Sequence, residues 1–150
     1  MRLEKATLND KDELQALVLR VSEAILKPYF EGDGWTFYLA TINPSVESAL
    51  QDPNFYTVKL LCDGELVGFA AIRDSNYITQ LFVEPSKQGK GLGRRLLDDL
   101  INSSFADAIE LKSSIAAVNF YQNNGFEIVG EEGNHNGIRY VPMKKQLSRQ

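Results

Sequence analysis

The sequence predicts an α/β domain folded around one mixed sheet, and three features of the chain carry that expectation. Three strand-like runs between residues 55 and 83 are joined by short turns, the pattern of an antiparallel meander. Apolar residues at helical spacing precede and follow the meander. A glycine-rich, basic segment over 86–93 marks the change from strand period to helix period.

In chain order, residues 2–7 alternate and make a short first strand, after which Asn9 and Asp10 offer a helix cap. Leu14, Leu17, Val18, Val21 and Ile25 place a helix over about residues 10–27, ended by Pro28. Residues 28–43 read as aromatic and irregular, with Gly32 and Gly34 among Tyr29, Phe30, Trp35, Phe37 and Tyr38. A short helix is expected over 44–51, with Pro44 or Ser45 near its start. Residues 55–62 and 65–73 form a hairpin across Asp63-Gly64, and Asp74-Ser75-Asn76 leads into a third strand over 77–83. Pro85 stops that strand. Leu92, Leu96, Leu97, Leu100 and Ile101 then mark a helix, 108–111 a strand, and 116–124 a helix that ends at Gly125. Residues 126–129 and 138–147 are expected as two antiparallel strands across a loop at 133–137. The element order is β-α-(α)-β-β-β-α-β-α-β-β.

A chain of 150 residues fits a single domain over 1–150 and buries a core without a staple. Its 43% hydrophobic and 24% charged residues are ordinary for a globular protein and unlike a disordered one. The net charge is -4, with no long basic run, so no nucleic-acid partner is expected. Cys62 has no second cysteine to pair with and reads as a small buried hydrophobe. One cysteine and one histidine, His135, do not make a zinc site, so no metal is expected. The charged start Met1-Arg2-Leu3-Glu4-Lys5 is unlike a signal peptide, and no stretch of about 18 apolar residues occurs. A cytoplasmic protein with no membrane partner is expected, as a monomer or homodimer.

The segment from Leu81 to Arg95 carries most of the chemistry. The strand Leu81-Phe82-Val83-Glu84-Pro85 is followed by Ser86-Lys87-Gln88-Gly89-Lys90-Gly91-Leu92-Gly93-Arg94-Arg95. Glycines let the backbone approach a ligand, and free N–H groups at a helix start hold phosphate without a side chain. Lys87, Lys90, Arg94 and Arg95 add positive charge. The alternative is a strand-to-helix loop whose glycines only permit a tight turn. A Walker phosphate loop is absent, and the glycines run G-x-G-x-G after a meander, unlike a dinucleotide-binding fingerprint. A second segment, from Ser114 to Phe126, places Ala117, Phe120 and Tyr121 on one helical face before Gly125. By itself, Tyr121 there reads as a half-buried aromatic.

Together these segments resemble the GNAT acetyltransferase superfamily. Its hallmark, Q/R-x-x-G-x-G/A after an apolar-x-V-x-P strand end, is matched by Gln88 to Gly93 after Leu81 to Pro85. Its second region, ending A-x-x-F-Y-x-x-x-G-F, is matched by Ala117, Phe120, Tyr121, Gly125 and Phe126. The resemblance implies the GNAT acyl-CoA N-acyltransferase fold, a mixed sheet of about seven strands with helices on both faces. It implies acetyl-CoA as donor, its pyrophosphate on Gln88, Gly89, Lys90, Gly91, Leu92, Gly93 and Arg94. The pantetheine arm would run along Leu81, Phe82 and Val83 and reach Ser114, Asn119 and Tyr121. Ser114 stands where the family's usual asparagine would be, and a hydroxyl keeps a donor and an acceptor there.

The implied reaction is direct attack of an amine on the thioester, with a small-molecule or peptide amine as acceptor. Tyr121 inherits the general acid's place; its unperturbed pKa of about 10 keeps it protonated at neutral pH. The Val83 N–H is the candidate donor to the developing oxyanion. Where many relatives carry an acid, this chain has Thr79 and Gln80. The base is therefore open: a water held by Gln80 or Tyr77, or His135. Glu84 is nearby but strand alternation could turn it away. The loop bearing Tyr29, Glu31 and Trp35, with His135 in the last loop, would line the acceptor site and suits a cationic amine. The neutral residues on the fourth strand also keep a second function open: a non-catalytic CoA or acetyl-CoA sensor that regulates a protein partner.

Overall fold

The computed structural model describes residues 1–148. Strand alternation builds one half of its sheet. β1 (Arg2–Lys5), β2 (Phe55–Cys62), β3 (Glu65–Arg73) and β4 (Tyr77–Val83) pair in that order, each antiparallel to the next. Asp63 and Gly64 take φ of 52° and 81° and close the β2–β3 turn, as their dipeptide predicts. β3 is buried along most of its length, so the sheet is covered on both faces. On one face Leu60, Ala70 and Ile72 lie under Leu96, Leu97 and Leu100 of α3 (Leu92–Ser103). On the other, Phe69 meets Leu14 and Leu17 of α1 (Lys11–Val21) and Ile42 and Val46 of α2 (Gly34–Gln51).

β5 (Ala108–Ser113) continues the sheet in parallel with β4, but they pair only at Tyr77↔Glu110 and Ile78↔Leu111. Beyond those residues the two strands part. β8 (Ile138–Gln146) runs antiparallel to β5 and also pairs with β6 (Glu127–Ile128) and β7 (Gly133–His135). The order is β1-β2-β3-β4-β5-β8-β6, with β7 on β8. α4 (Val118–Asn123) crosses between β5 and β6, and its Tyr121 joins the α3-side core together with Phe126. β4 carries a bulge: Ala71 pairs with Gln80 but Ile72 with Ile78, leaving Thr79 as the extra residue.

Four expectations are corrected. The aromatic segment before Pro44 is not irregular, and no short helix starts there; residues 34–51 are one helix. Trp35, Tyr38, Ile42, Val46 and Ala49 recur every three or four residues and turn inward, which outweighs the proline. Pro44 lies on the exposed side, where its missing N–H leaves a carbonyl facing water. The first helix is regular only to Val21; a π-helical turn (Ser22–Leu26) and a 3-10 turn (Lys27–Tyr29) replace its end. Gly133–His135 is a strand rather than a loop, because Asn136 and Gly137, with φ of 54° and 89°, make a tight turn. With that strand the sheet has eight strands among the described residues, in keeping with the about seven expected. No helix among the described residues is long and apolar enough to cross a membrane.

Two glycines bind α2 to the β7–β8 turn. A Cβ at Gly34 would land on the Gly137 carbonyl, and one at Gly137 would land on the Glu31 carbonyl. The Glu31 N–H donates to Gly137 O at 3.0 Å in the same place. Gly34→Ala is expected to lower stability by about 1–3 kcal/mol through overpacking, although alanine favours a helix. Thermal unfolding beside wild type checks this; an unchanged or raised Tm contradicts the close approach.

Candidate functional site

Where β4 and β5 part, a cavity of about 650 Å³ passes through the sheet. Leu81 on its wall packs toward the α3 side and Phe82 toward the α1–α2 side, so it opens to both faces.

One end is the turn between β4 and α3. Gly89 and Gly91 hold φ of 78° and 79°, a conformation that side chains disfavour, and nothing lies within 4 Å of where their Cβ atoms would be. Gly91 is the N-cap of α3, so the first N–H groups of that helix have no partner within it. Arg94 lines the same end. Backbone donors, the positive pole of a 12-residue helix and open space before two glycines fit a diphosphate. Gly93 serves packing instead. A Cβ there would lie 3.1 Å from Phe120 Cε1, so its absence lets α3 and α4 meet.

The β4 edge faces the gap with its backbone. The Glu84 N–H donates to Val67 O at 2.8 Å, and alternation then turns the Val83 N–H and C=O away from β3. Gln88 Nε2 donates to that carbonyl at 3.2 Å. Tyr121 stands on the cavity wall, 7% exposed, with its ring edge-on to Phe120 and Phe126 at 5.1 and 5.5 Å. Burial pushes its phenol well above the ordinary tyrosine value, so it holds its proton. Gln80 is 8% exposed, lines the cavity and shares the α1–α2 face with Phe82. Its Oε1 is buried and has no hydrogen-bond donor among the described residues.

Of the residues singled out by sequence, Leu81, Phe82, Val83, Gln80, Ser114 and Tyr121 line the cavity. So do Gln88, Gly89, Gly91, Gly93 and Arg94. Lys90 and Asn119 are exposed away from it, and the Leu92 side chain is in the core. Of Tyr29, Glu31, Trp35, Tyr77 and His135, Tyr29 alone reaches the wall among the described residues, beside Phe30 and Tyr38. Trp35 stands behind it, packed on Phe30 and Tyr38 at 5.4 and 5.9 Å with Lys27 Nζ 5.3 Å above its ring. Glu31 points outward to Asn134 Nδ2 at 3.0 Å. Tyr77 lies at the paired end of β4 under the Arg73 guanidinium, and His135 is exposed on the β7–β8 turn. Glu84 is taken by Arg20 through two hydrogen bonds of 3.1 and 2.8 Å, which turns it away from the cavity.

Asn123, Asn124, Lys112, Arg139 and Tyr140 also line the cavity, and the motifs do not point to them. The two asparagines end the second segment and are within reach of its helical spacing. The other three come from β5 and β8, whose approach to β4 no local pattern reveals. Among the described residues no group of three or more His, Cys, Asp or Glu side chains could hold a metal ion.

Several proteins similar to this chain are described as acetyltransferases. Over 68 residues the chain is 32% identical to the peptidyl-lysine N-acetyltransferase YiaC of Escherichia coli K12, covering 45% of this chain and 47% of that protein. It thus spans about half the length of that curated relative. Among solved structures, a GCN5-related N-acetyltransferase of Rhodopseudomonas palustris superposes with a TM-score of 0.86 at 19% identity, covering 97% of this chain and 95% of that one. The PaiA N-acetyltransferase of Thermoplasma acidophilum, solved with coenzyme A, superposes at 0.74 and 14% identity over 97% and 98% of the two chains. The family described as acetyltransferase (GNAT) domain matches residues 25–147. That match runs from the π-helical turn past the end of β8 and takes in both walls of the cavity, so the chain belongs to the GNAT acetyltransferase family.

Proposed function

We propose that the chain is an acetyl-CoA-dependent N-acetyltransferase acting on a primary amine of a small molecule or peptide by direct attack in a ternary complex. One observation carries this reading: the gap between β4 and β5 joins a glycine cradle suited to a diphosphate with a buried, protonated tyrosine. The PaiA structure with coenzyme A and the activity of YiaC on peptidyl-lysine support the donor and the amine class.

Acetyl-CoA supplies a thioester whose carbonyl carbon accepts the amine. The chain's own groups do the rest. The amides from Gly89 to Gly93 hold the diphosphate, and the edge of β4 from Leu81 to Val83 aligns the arm. The Val83 N–H is turned toward the gap and can donate to the carbonyl oxygen as charge grows there. An N–C bond forms and the C–S bond breaks. Tyr121 gives its proton to the departing sulfur, and the proton shed by nitrogen returns through water. Among the described residues no carboxylate lines the cavity, so no side chain there acts as an anionic base. That same fact favours one other reading, a CoA-sensing module that regulates a protein partner.

Free-thiol release from acetyl-CoA with a panel of amines and peptides separates the two: the enzyme releases thiol, the sensor only binds. Tyr121→Phe is expected to slow release by about 10²–10⁴-fold with CoA affinity little changed. Equal rates would remove Tyr121 from the chemistry. Gly91→Glu is expected to abolish most acetyl-CoA binding by calorimetry, since it strains a left-handed position and sets a negative charge at the diphosphate; unchanged affinity would contradict the cradle. Burial keeps the Tyr121 proton above its ordinary range. The rate should therefore rise with pH as the amine sheds its proton, without a descending limb below about pH 10. A fall between about pH 8 and 9.5 would contradict that role.

A further inference from the structure

The acceptor side of the cavity differs from what the loop sequence implies. Much of its wall is apolar: Val21, Ile25 and Leu26 from α1 and the π-helical turn, the rings of Tyr29 and Phe30 beyond it, and Ile138 from β8, with the Tyr38, Thr79 and Tyr140 side chains beside them. The carboxylates of the flanking loops are turned outward and occupied. Glu31 accepts from Asn134 and lies 3.8 Å from Arg139. Glu132 receives two Arg139 hydrogen bonds of 2.9 and 3.0 Å. The charged side chains that do line the cavity are all cations: Arg94 at the cradle, Arg139, and Lys112 with its Nζ 4.9 Å over the Tyr140 ring. Among the described residues no lining carboxylate meets a second ammonium there, and Glu31 and Glu132 are already matched by Arg139.

One group does call for a donor. Gln80 Oε1 is the buried side-chain oxygen or nitrogen without a hydrogen-bond partner among the described residues, and its side chain lines this cavity. It offers a neutral acceptor, which suits a single N–H rather than a cluster of charges. Apolar walls and cations also disfavour the ammonium form of a bound amine, which supplies the neutral nitrogen that attack requires. The missing carboxylate thus has a counterpart in the wall itself.

We propose that the acceptor is a primary amine carried on a compact apolar body, aryl or branched alkyl, with no second positive charge, its N–H groups directed to Gln80 Oε1. This rests on the transferase reading above and narrows it. During transfer the nitrogen bonds the acetyl carbon, the C–S bond breaks, and the proton balance is the one already given. A polyamine, or an amine presented by a polycationic scaffold, is selected against.

Thiol release by the full-length protein at saturating acetyl-CoA, with 2-phenylethylamine and with spermidine, tests the class. kcat/KM is expected to be at least about tenfold higher for 2-phenylethylamine. Ile25→Asp places a carboxylate on the apolar wall and should shift that ratio toward spermidine by about tenfold or more; Leu26→Asp does the same should the first variant fold poorly. Equal rates, or a preference of wild type for spermidine, would overturn the acceptor class while leaving acetyl transfer intact. Thiol release with neither amine, nor with any of the wider panel, while acetyl-CoA binds, would overturn the transferase reading and this inference with it.

Discussion

The structure turns on a sheet that is left unfinished. β4 and β5 share two paired positions and then separate, so the far half of β4 has no neighbour on one side. Unpaired backbone groups in a protein interior cost about 1–3 kcal/mol each. The chain offsets one of them by folding Gln88 back onto the Val83 carbonyl. The other groups on that edge are the donors and acceptors to which the proposed function assigns the ligand. The candidate site is arranged around this gap: the glycine turn, Tyr121 and the apolar residues Val21, Ile25 and Leu26 all line it.

The two ends of the gap are built in opposite ways. At the cradle, Gly89 and Gly91 leave open space in front of the backbone amides and the positive pole of α3. At the acceptor end, side chains form the surface, and rigid supports hold them. Ser22 and Tyr38 hydroxyls meet at 2.7 Å, tying the π-helical turn to α2. Phe30 and Tyr38 on the wall pack with Trp35 behind it as one aromatic group. The glycine contact between α2 and the β7–β8 turn fixes that group against the last hairpin. These contacts join the π-helical turn, α2 and the last hairpin behind the wall on which the acceptor proposal rests.

Much of this is legible in the chain. The hairpin at Asp63-Gly64, the strand ending at Val83, the glycine turn and the helix of Leu92, Leu96, Leu97 and Leu100 are local patterns, and the structure follows them. α2 is hidden because Pro44 and the aromatics at 35–38 break local rules, while the inward stripe that makes the helix spans both segments. The polar residues before the β7–β8 turn resemble a loop, although Asn136-Gly137 carries a hairpin signal. The acceptor wall is least legible. Trp35 and Glu31 sit in the right segment, yet helix phase puts Trp35 behind the wall, Glu31 ahead of α2 is held outward by Asn134, and Lys112 arrives from a strand distant in sequence. Helical phase and strand crossing decide such placements, and neither is visible in a residue's own neighbourhood.

A crystal structure of the protein grown with coenzyme A would address the central idea most directly. The account predicts the diphosphate within hydrogen-bond reach of the amides between Gly89 and Gly93, with the arm lying along Leu81 to Val83 and the sulfur beside Tyr121. A cofactor bound elsewhere on the molecule, with the glycine turn and the gap left empty, would contradict it.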